Sequence, residues 1–295
     1  MMFGTRDEFE YLECPECGSV QIARIPDLEP YYPDGYYSFE TASTSSVKQR
    51  MAVVAAKAFD RSRLVPFSKA LFSIGQIDAR LVDRGLGLKS ALELGMPKSA
   101  RILDVGCGSA ELLQVMARIG FTSLTGIDKF LTKEINVGIK LLAVEIADVE
   151  GKFDLIMFHH SLEHIPGPTA ALKDAYRLLS PGGMCLVRIP LLNYAWEKYG
   201  INWVGLDAPR HLILMTEKTA RKTAADAGFE VIDVIYDSTS FQFSASEKYS
   251  QDIPLVDTRK PFSRRQLRDW QNEAKRLNRL GRGDQAAFVL KKRDV

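Results

Sequence analysis

The chain has 295 residues, of which 46% are hydrophobic, and a formal net charge of +2 at pH 7. This nearly balanced charge gives no reason to expect a nucleic-acid or membrane-surface partner, and four cysteines in this length do not make a disulfide framework. No apolar core follows a basic start, and no run reaches the ~18 apolar residues of a membrane span. We expect one large domain with additions, or one and a half domains, located in the cytoplasm.

Residues 1–40 carry the paired cysteines and an aromatic cluster. Cys14 and Cys17 have the spacing of a zinc knuckle, but a structural zinc needs four ligands. The other cysteines, Cys107 and Cys185, fall in a predicted loop and a predicted strand far along the chain, so we expect no bound metal in one chain. A zinc shared between two copies stays an alternative. The tyrosines of residues 31–37 are expected to pin this arm to the core or to stack on a sugar ring.

Residues 41–100 show the pattern of helices. Ser45 and Ser46 are candidate caps for a helix that runs to Phe59, and a second apolar stretch extends from Phe67 to Val82. These residues predict a helical region in front of the first strand of a sheet.

Residues 101–119 predict a strand, a glycine turn and a helix. The apolar run Ile102–Val105 ends in Gly106 and Gly108, and an amphipathic stretch begins at Glu111. This order places a nucleotide-like cofactor at a helix N-terminus. The dinucleotide fingerprint would have a third glycine where Glu111 stands, and a carboxylate there repels a pyrophosphate. We therefore expect a cofactor with a cationic centre and no phosphate.

Two further strands end in polar residues. Ser123–Ile127 is followed by Asp128, an acid placed to bind ribose hydroxyls. Phe153–Phe158 reads as a buried strand and leads directly into the histidine-rich stretch 159–166. The elements expected after it are a helix over Thr169–Leu179, a turn over Ser180–Gly183 and a strand over Met184–Pro190.

The C-terminal part continues the alternation of helices and strands. We expect a helix over Thr216–Ala227, a strand over Phe229–Tyr236, a charged helix over Ser263–Leu280 and a last strand over Ala286–Leu290. Residues 238–281 are interpreted as an insertion before that last strand.

The ordered motifs of residues 90–237 resemble those of the class I S-adenosylmethionine-dependent methyltransferases. These motifs are D-V-G-C-G at 104–108, G-I-D at 126–128, F-D-L-I with L-E-H up to 164, and L-S-P-G-G at 179–183. The resemblance implies an α/β fold: a Rossmann-like, seven-stranded, doubly wound sheet with an antiparallel last strand. An N-terminal arm (1–40) and a helical cap (41–100) would precede a methyltransferase domain (101–295). The implied cofactor is S-adenosylmethionine.

The resemblance also implies which residues contact this cofactor. The glycine loop would hold the methionine end, the acid after the second strand the ribose, and residues after the third strand the adenine. The implied contacts are Asp104, Gly106, Cys107, Gly108, Asp128, Lys129, Ile146, Asp148 and His159.

Methyl transfer to oxygen or carbon also needs a group that takes the acceptor's proton, and histidine is suited to this near neutral pH. The chain has four histidines, and all follow predicted strands. His211 and His160 are equal candidates for the base, and His164 is expected to fix its loop beside the substrate. Arg210 is a candidate to grip a phosphate or carboxylate of the substrate, or else to pair with a loop acid.

The segment from Trp203 to His211 narrows the substrate class. Together with C-P-E-C-G at 14–18 and Y-Y-S-F at 36–39, it resembles bacterial methyltransferases of glycan, O-antigen and capsule biosynthesis, with Trp203 near the substrate. The implied acceptor is a sugar, sugar nucleotide or lipid-linked glycan in polysaccharide biosynthesis. One alternative is a methyltransferase for a quinone or other small metabolite. Another is a non-catalytic binding module with the same fold.

Overall fold

The computed structural model describes residues 2–32, 93–131, 138–258 and 261–293. The helices expected between residues 41 and 92 lie outside this part of the chain, and so do the aromatic residues 36–39. The division into an arm, a helical cap and a methyltransferase domain therefore stays a prediction.

Within the described residues, ten strands form two sheets. The strands are β1 (Tyr11–Glu13), β2 (Val20–Ile22), β3 (Arg101–Val105), β4 (Ser123–Ile127), β5 (Ile139–Leu142), β6 (Phe153–His159), β7 (Leu179–Pro190), β8 (Ile213–Leu214), β9 (Phe229–Tyr236) and β10 (Gln285–Lys292). The larger sheet has seven strands in the order β5-β4-β3-β6-β7-β10-β9. Strand β3 pairs in parallel with β4 and β6, whereas β10 is antiparallel to β9. The expected fold class, with its antiparallel last strand, is confirmed.

Six α-helices lie in the described part of the chain. They are α1 (Glu111–Arg118), α2 (Pro168–Leu178), α3 (Tyr194–Tyr199), α4 (Glu217–Asp226), α5 (Phe241–Ser250) and α6 (Arg264–Arg279). Helix α6 begins with a capping box in which the side chains of Ser263 and Gln266 each accept from the other residue's backbone N–H. None of the described helices has both the length and the apolar character needed to cross a bilayer.

The chain divides into two compact units. One comprises the described residues of Met1–Pro33, His160–Lys173 and Arg188–Arg293, and we call it the histidine unit. The other comprises the described residues of Asp34–His159 and Asp174–Val187, and we call it the glycine-loop unit.

The core of the glycine-loop unit follows from continuous apolar runs in its parallel strands. Strands β3 and β6 are buried on both faces, as parallel strands usually are, and Ile102, Leu103 and Leu155 have no exposed surface. Helix α1 adds an apolar stripe that contains Leu113. A Cβ atom on Gly126 of β4 would lie 2.9 Å from Leu113 Cδ1 and 2.7 Å from Cys107 Sγ, so only glycine fits there.

The histidine unit has its own small sheet and apolar core. Its three strands have the order β1-β2-β8, and its core cluster includes the buried residues Val20, Trp203, Leu214 and Tyr249. Tyr249 belongs to α5, so the expected insertion 238–281 contributes to this core rather than standing apart from it.

A fully buried ion pair also lies in the histidine unit. Arg188 of β7 has no exposed surface, and its Nε and Nη2 atoms donate to the two carboxylate oxygens of Asp237 at 2.7 and 3.2 Å. The paired geometry satisfies both charges where water cannot reach them.

One expected boundary is wrong. The turn expected over Ser180–Gly183 belongs to strand β7, which begins at Leu179. Gly182 takes a φ of 72°, so the chain bends within a strand where the sequence indicates a turn between elements.

Candidate functional site

The glycine loop lies between β3 and α1. Gly106 and Gly108 have φ values of 73° and 51°, in the left-handed region that a residue with a side chain rarely adopts. The backbone N–H groups of Gly106 and Cys107 both donate to the carbonyl of Ile127, at 2.8 and 3.0 Å. These two bonds fasten the loop to the end of β4.

One oxygen of a buried carboxylate beside this loop lacks a hydrogen-bond partner among the described residues. Asp104, the fourth residue of β3, is only 3% exposed, and its Oδ1 has no hydrogen-bond partner among the described residues. Burial, and secondly the negative charge of Asp128, raise the pKa of Asp104 to about 7. A ligand with a cationic N–H donor would supply both the missing bond and the missing charge. The ammonium group of S-adenosylmethionine meets this requirement, whereas a phosphate would not.

Asp128 stands directly after β4, as the sequence predicts. Its Oδ2 accepts from the Gly108 N–H at 3.1 Å and its Oδ1 from the Phe130 N–H at 2.9 Å. Each oxygen keeps a further lone pair, so the half-buried carboxylate is held rigidly with capacity to accept ribose hydroxyls. Glu111 is the first residue of α1, at the position where the dinucleotide fingerprint has its third glycine.

The other expected cofactor contacts lie in the same unit, after the parallel strands. His159 ends β6, and Ile146 and Asp148 belong to a short 3-10 helix after β5. Ile146 is buried and Asp148 is exposed. The ammonium of Lys129 lies 5.0 Å from the centre of the Phe130 ring, a cation–π contact. Burial raises the pKa of the Cys107 thiol well above its usual range, so this cysteine stays a neutral loop residue.

The three other histidines surround one carboxylate in the histidine unit. Glu163 is 2% exposed, and its Oε1 lies 3.4 Å from His160 Nδ1 and 3.9 Å from His211 Nε2. Burial opposes ionisation of Glu163, but the facing histidines, His160 first, lower its pKa to about 2. Glu163 has no role among the expectations from the sequence, although an acid within H-H-S-L-E-H is the available signal.

His160 is a poor candidate for the base. Its Nε2 contacts Nη1 of the buried Arg188, which can only donate, so Nε2 must accept. Its Nδ1 then carries the proton and faces Glu163. His160 also has a φ of 51° and donates its backbone N–H to the Arg188 carbonyl at 2.9 Å. Since Arg188 occupies the lone pair of the His160 ring, the contacts favour His211 as the candidate base, and its role stays a prediction.

His211 has a free lone pair at Nε2. Its Nδ1 lies 2.8 Å from the carbonyl oxygen of Gly205, which only accepts, so the proton stays on Nδ1. Nε2 lies 3.8 Å from Asp207 Oδ2 and 3.9 Å from Glu163 Oε1. Two carboxylates are therefore placed to stabilise the ring once it takes up a proton.

His164 packs against His211, with ring centres 4.8 Å apart in an edge arrangement. Its Nδ1 lies 2.8 Å from the Arg210 carbonyl oxygen. Burial, and secondly the charge of His211, lower the pKa of His164 to about 4. His164 therefore stays neutral at pH 7, and its expected role in fixing the loop stays a prediction.

Two expected substrate contacts lie in the interior instead. Trp203 has no exposed surface, and its indole N–H donates to Asp284 Oδ2 at 3.0 Å, so it packs in the core and has no face to offer a substrate. Arg210 is 2% exposed, and its guanidinium pairs with Asp207 and lies 5.5 Å from the Phe3 ring centre. The salt bridge with a loop acid, rather than a grip on a substrate anion, is the role that the contacts of Arg210 support.

A set of possible metal ligands coincides with the histidine cluster. Donor atoms of Glu163, His164 and His211 all lie within 4.8 Å of one another. Cys14 and Cys17 are free thiols in the turn between β1 and β2 and belong to no such set among the described residues.

Known proteins with similar sequences are methyltransferases. A family model described as "Methyltransferase domain" matches residues 79–234. The ubiquinone biosynthesis O-methyltransferase of Xanthomonas oryzae pv. oryzae (strain PXO99A) is 38% identical over 97 residues, which are 28% of this chain and 40% of that protein. The enzyme of the same name from Pseudomonas paraeruginosa is 28% identical over 189 residues, covering 57% of this chain and 76% of that protein. This chain thus spans only 40% of the length of the Xanthomonas relative.

A solved structure shows the same fold. A chain in the complex between the Haloferax volcanii Trm112 methyltransferase activator and the putative methyltransferase aligns with a TM-score of 0.51 and 14% identity, covering 84% of this chain and all of that chain. At this identity the likeness concerns the fold alone. The family model, in contrast, covers more than half of the chain and includes the glycine loop, Asp128 and Glu163. The chain therefore belongs to the methyltransferase-domain family.

Proposed function

We propose that the protein transfers a methyl group from S-adenosylmethionine to a hydroxyl oxygen of a small molecule, such as a phenolic precursor of a quinone. The observation that carries the proposal is the unpartnered oxygen of Asp104, 3% exposed beside a glycine loop with positive φ values. It is suited to the ammonium of a phosphate-free cofactor. The relatives' printed activity, O-methylation in ubiquinone biosynthesis, supports oxygen of a small molecule as the acceptor.

The chain's own residues have separate roles in the proposed reaction. S-adenosylmethionine, when bound, supplies a methyl carbon whose bond to sulfur breaks as its bond to the acceptor oxygen forms. Asp104 would accept from the cofactor's ammonium, and Asp128 would accept from its ribose hydroxyls. His211 Nε2 takes the proton of the acceptor hydroxyl, and the resulting imidazolium is stabilised by Glu163 and Asp207. His160 directs its Nδ1 proton toward Glu163, and the neutral His164 holds the loop through the Arg210 carbonyl.

This proposal takes the small-molecule alternative in preference to a glycan. Neither of the two relatives named above is a glycan methyltransferase, and Trp203 and Arg210, on which the glycan contacts depended, are buried. Polysaccharide biosynthesis is then supported only by the sequence motifs at residues 14–18, 36–39 and 203–211.

The test is a methyl-transfer assay that follows S-adenosylhomocysteine formation and the mass of the product. The acceptors are an ortho-diphenol, a polyprenylated phenol, a sugar nucleotide and a lipid-linked saccharide. We expect methylation of a phenolic oxygen, abolished in His211→Gln and retained in the matched surface variant Asp226→Asn, whose exposed side chain pairs with Lys222. Methylation of a saccharide alone would overturn the acceptor class. Tight cofactor binding with no methylated product from any acceptor would support the binding-module alternative.

A further inference from the structure

Glu163, His164 and His211 form a possible donor set for a metal ion. All three belong to the histidine unit, and their ligand atoms lie within 4.8 Å of one another. Two imidazoles and one carboxylate are the protein ligands of zinc sites that keep a fourth position open for water or another ligand. The types and number of these donors therefore suit zinc.

The carboxylate of Glu163 lacks the partners that a buried charge needs. The residue is 2% exposed, and neither of its oxygens has a hydrogen-bond partner among the described residues. The buried arginines of this unit do not neutralise it, because Arg188 pairs with Asp237. Arg210 likewise pairs with Asp207. Since a buried carboxylate is costly unless it is paired or coordinates a metal ion, Glu163 offers its charge and its lone pairs to a cation.

Both imidazoles are oriented as metal ligands usually are. A ligating histidine almost always donates its other ring N–H to a carboxylate, a backbone carbonyl or water, which fixes the lone pair on the ligating nitrogen. Nδ1 of His164 lies 2.8 Å from the Arg210 carbonyl oxygen, and Nδ1 of His211 lies 2.8 Å from the Gly205 carbonyl oxygen. A carbonyl oxygen only accepts, so each Nδ1 carries the proton and each Nε2 carries the lone pair.

The separation of two of the ligand atoms also suits one ion. Nε2 of His211 lies 3.9 Å from Oε1 of Glu163. Two bonds of about 2.0–2.2 Å to the same zinc ion can span this distance. Magnesium fits less well, because it prefers oxygen ligands in a nearly ideal octahedron.

We propose that Glu163, His164 and His211 bind a zinc ion, and that zinc bound there inhibits methyl transfer. The three side chains take three positions of a tetrahedral site, and a water molecule takes the fourth. The ion occupies the Nε2 lone pair of His211, to which the proposed function assigns the proton of the acceptor hydroxyl. The inhibition therefore rests on the proposed function, whereas zinc binding does not.

The binding experiment separates this site from the free thiols of Cys14 and Cys17, which are also possible zinc ligands. Zinc is titrated by calorimetry into the full-length double variant Cys14→Ser, Cys17→Ser, after removal of bound metal with a chelator and without cofactor or acceptor. We expect one zinc ion per chain. Magnesium at the same concentration should not compete with it.

Variants of the two histidines locate the site. His164→Gln and His211→Gln, each in the double-variant background, should lower the zinc affinity by more than about 100-fold, the upper range for loss of a contact outside the ligand shell. The matched surface variant Asp226→Asn should keep the affinity of the double variant. Binding of S-adenosylhomocysteine and urea unfolding check that each variant is folded. Zinc affinities within about twofold of that background in both folded histidine variants would overturn the site.

Inhibition is measured separately, with zinc added to the methyl-transfer assay. We expect turnover to fall as the site fills, with the same half-saturation as in the titration, and to recover when a chelator is added. Binding of S-adenosylhomocysteine should not change. Zinc that fills the site but leaves turnover unchanged, or raises it, would overturn the inhibitory role. Zinc bound at these residues in a protein that methylates no acceptor would support the site and contradict the proposed function instead.

Discussion

Replacing Asp104 by asparagine tests the cofactor site most directly. The amide keeps the shape of the side chain but removes the negative charge that Oδ1 offers to a cationic donor. Hydrogen bonds that involve a charged group contribute about 1.5–3 kcal/mol, and each 1.4 kcal/mol is a factor of ten. We therefore expect Asp104→Asn to weaken S-adenosylhomocysteine binding by roughly 10- to 150-fold.

The dependence of this affinity on pH gives an independent readout. Because the pKa of Asp104 in the free protein is about 7, its carboxyl is neutral below that pH and must ionise when the ammonium binds. Wild-type affinity should therefore fall by up to about tenfold per pH unit as the pH drops below 7, whereas the asparagine variant should show no such fall.

Stability separates lost binding from lost folding. The folded-state pKa of Asp104 is raised above its ordinary value of 3.8, so the ligand-free wild type loses stability as the pH rises from about 4 to 7. Asp104→Asn removes that penalty, so at pH 8 the ligand-free variant should be more stable, by at most about 4 kcal/mol. Titration calorimetry and urea unfolding measure the two quantities. A stable variant that binds within about twofold of wild type would refute the assignment of Asp104 to the ammonium.

Three further substitutions test the rest of the site and core. His211→Gln should reduce methyl transfer by about 10²- to 10⁴-fold in a turnover assay while calorimetric cofactor binding is unchanged; equal loss of binding would contradict its role as a base. The depressed pKa of Glu163, about 2, means that wild type loses stability as the pH falls from about 4.5 to 2. The free energy of unfolding of Glu163→Gln, measured by urea titration, should therefore be lower than that of wild type by up to about 3 kcal/mol at pH 7 and equal to it near pH 2. If the difference between the two proteins were the same at both pH values, this explanation would be excluded. Gly126→Ala should lower the free energy of unfolding by about 1–3 kcal/mol, because the added Cβ would clash with Cys107 and Leu113. An unchanged midpoint of urea unfolding would show that these side chains move aside without cost.

The glycine-loop unit could largely be predicted from the sequence because its signals are local. The apolar run, the two glycines and the amphipathic stretch lie within about twenty residues, and the bounds of β4 match the expected Ser123–Ile127. Asp104 lies near the end of β3 and Asp128 directly follows β4, as the order of apolar and polar residues predicts. That Asp104 is nearly fully buried and lacks a partner could not be read from the pattern, because burial depends on neighbouring strands.

The histidine unit was harder to predict because its polar groups are paired over long distances in the chain. Trp203 finds its acceptor in Asp284, 81 residues later, and Arg188 finds Asp237 49 residues later. Neither pairing leaves a signal in the local sequence. The ranking of His160 and His211 depended on such a contact, since it is Arg188 that occupies the lone pair of His160. A charged residue inside the expected apolar strand Met184–Pro190 was the one available hint.

The buried pair of Arg188 and Asp237 has a consequence for the uniqueness of the fold. Successive side chains of a strand point to opposite faces, so a slip of β7 by one residue would move Arg188 to the other face of the sheet. Asp237 would then remain buried without its cation, at a cost of several kcal/mol. An apolar pair of similar volume could pack equally well but would tolerate the slipped arrangement. The two charges thus select one alignment of the chain from several that hydrophobic burial alone would accept.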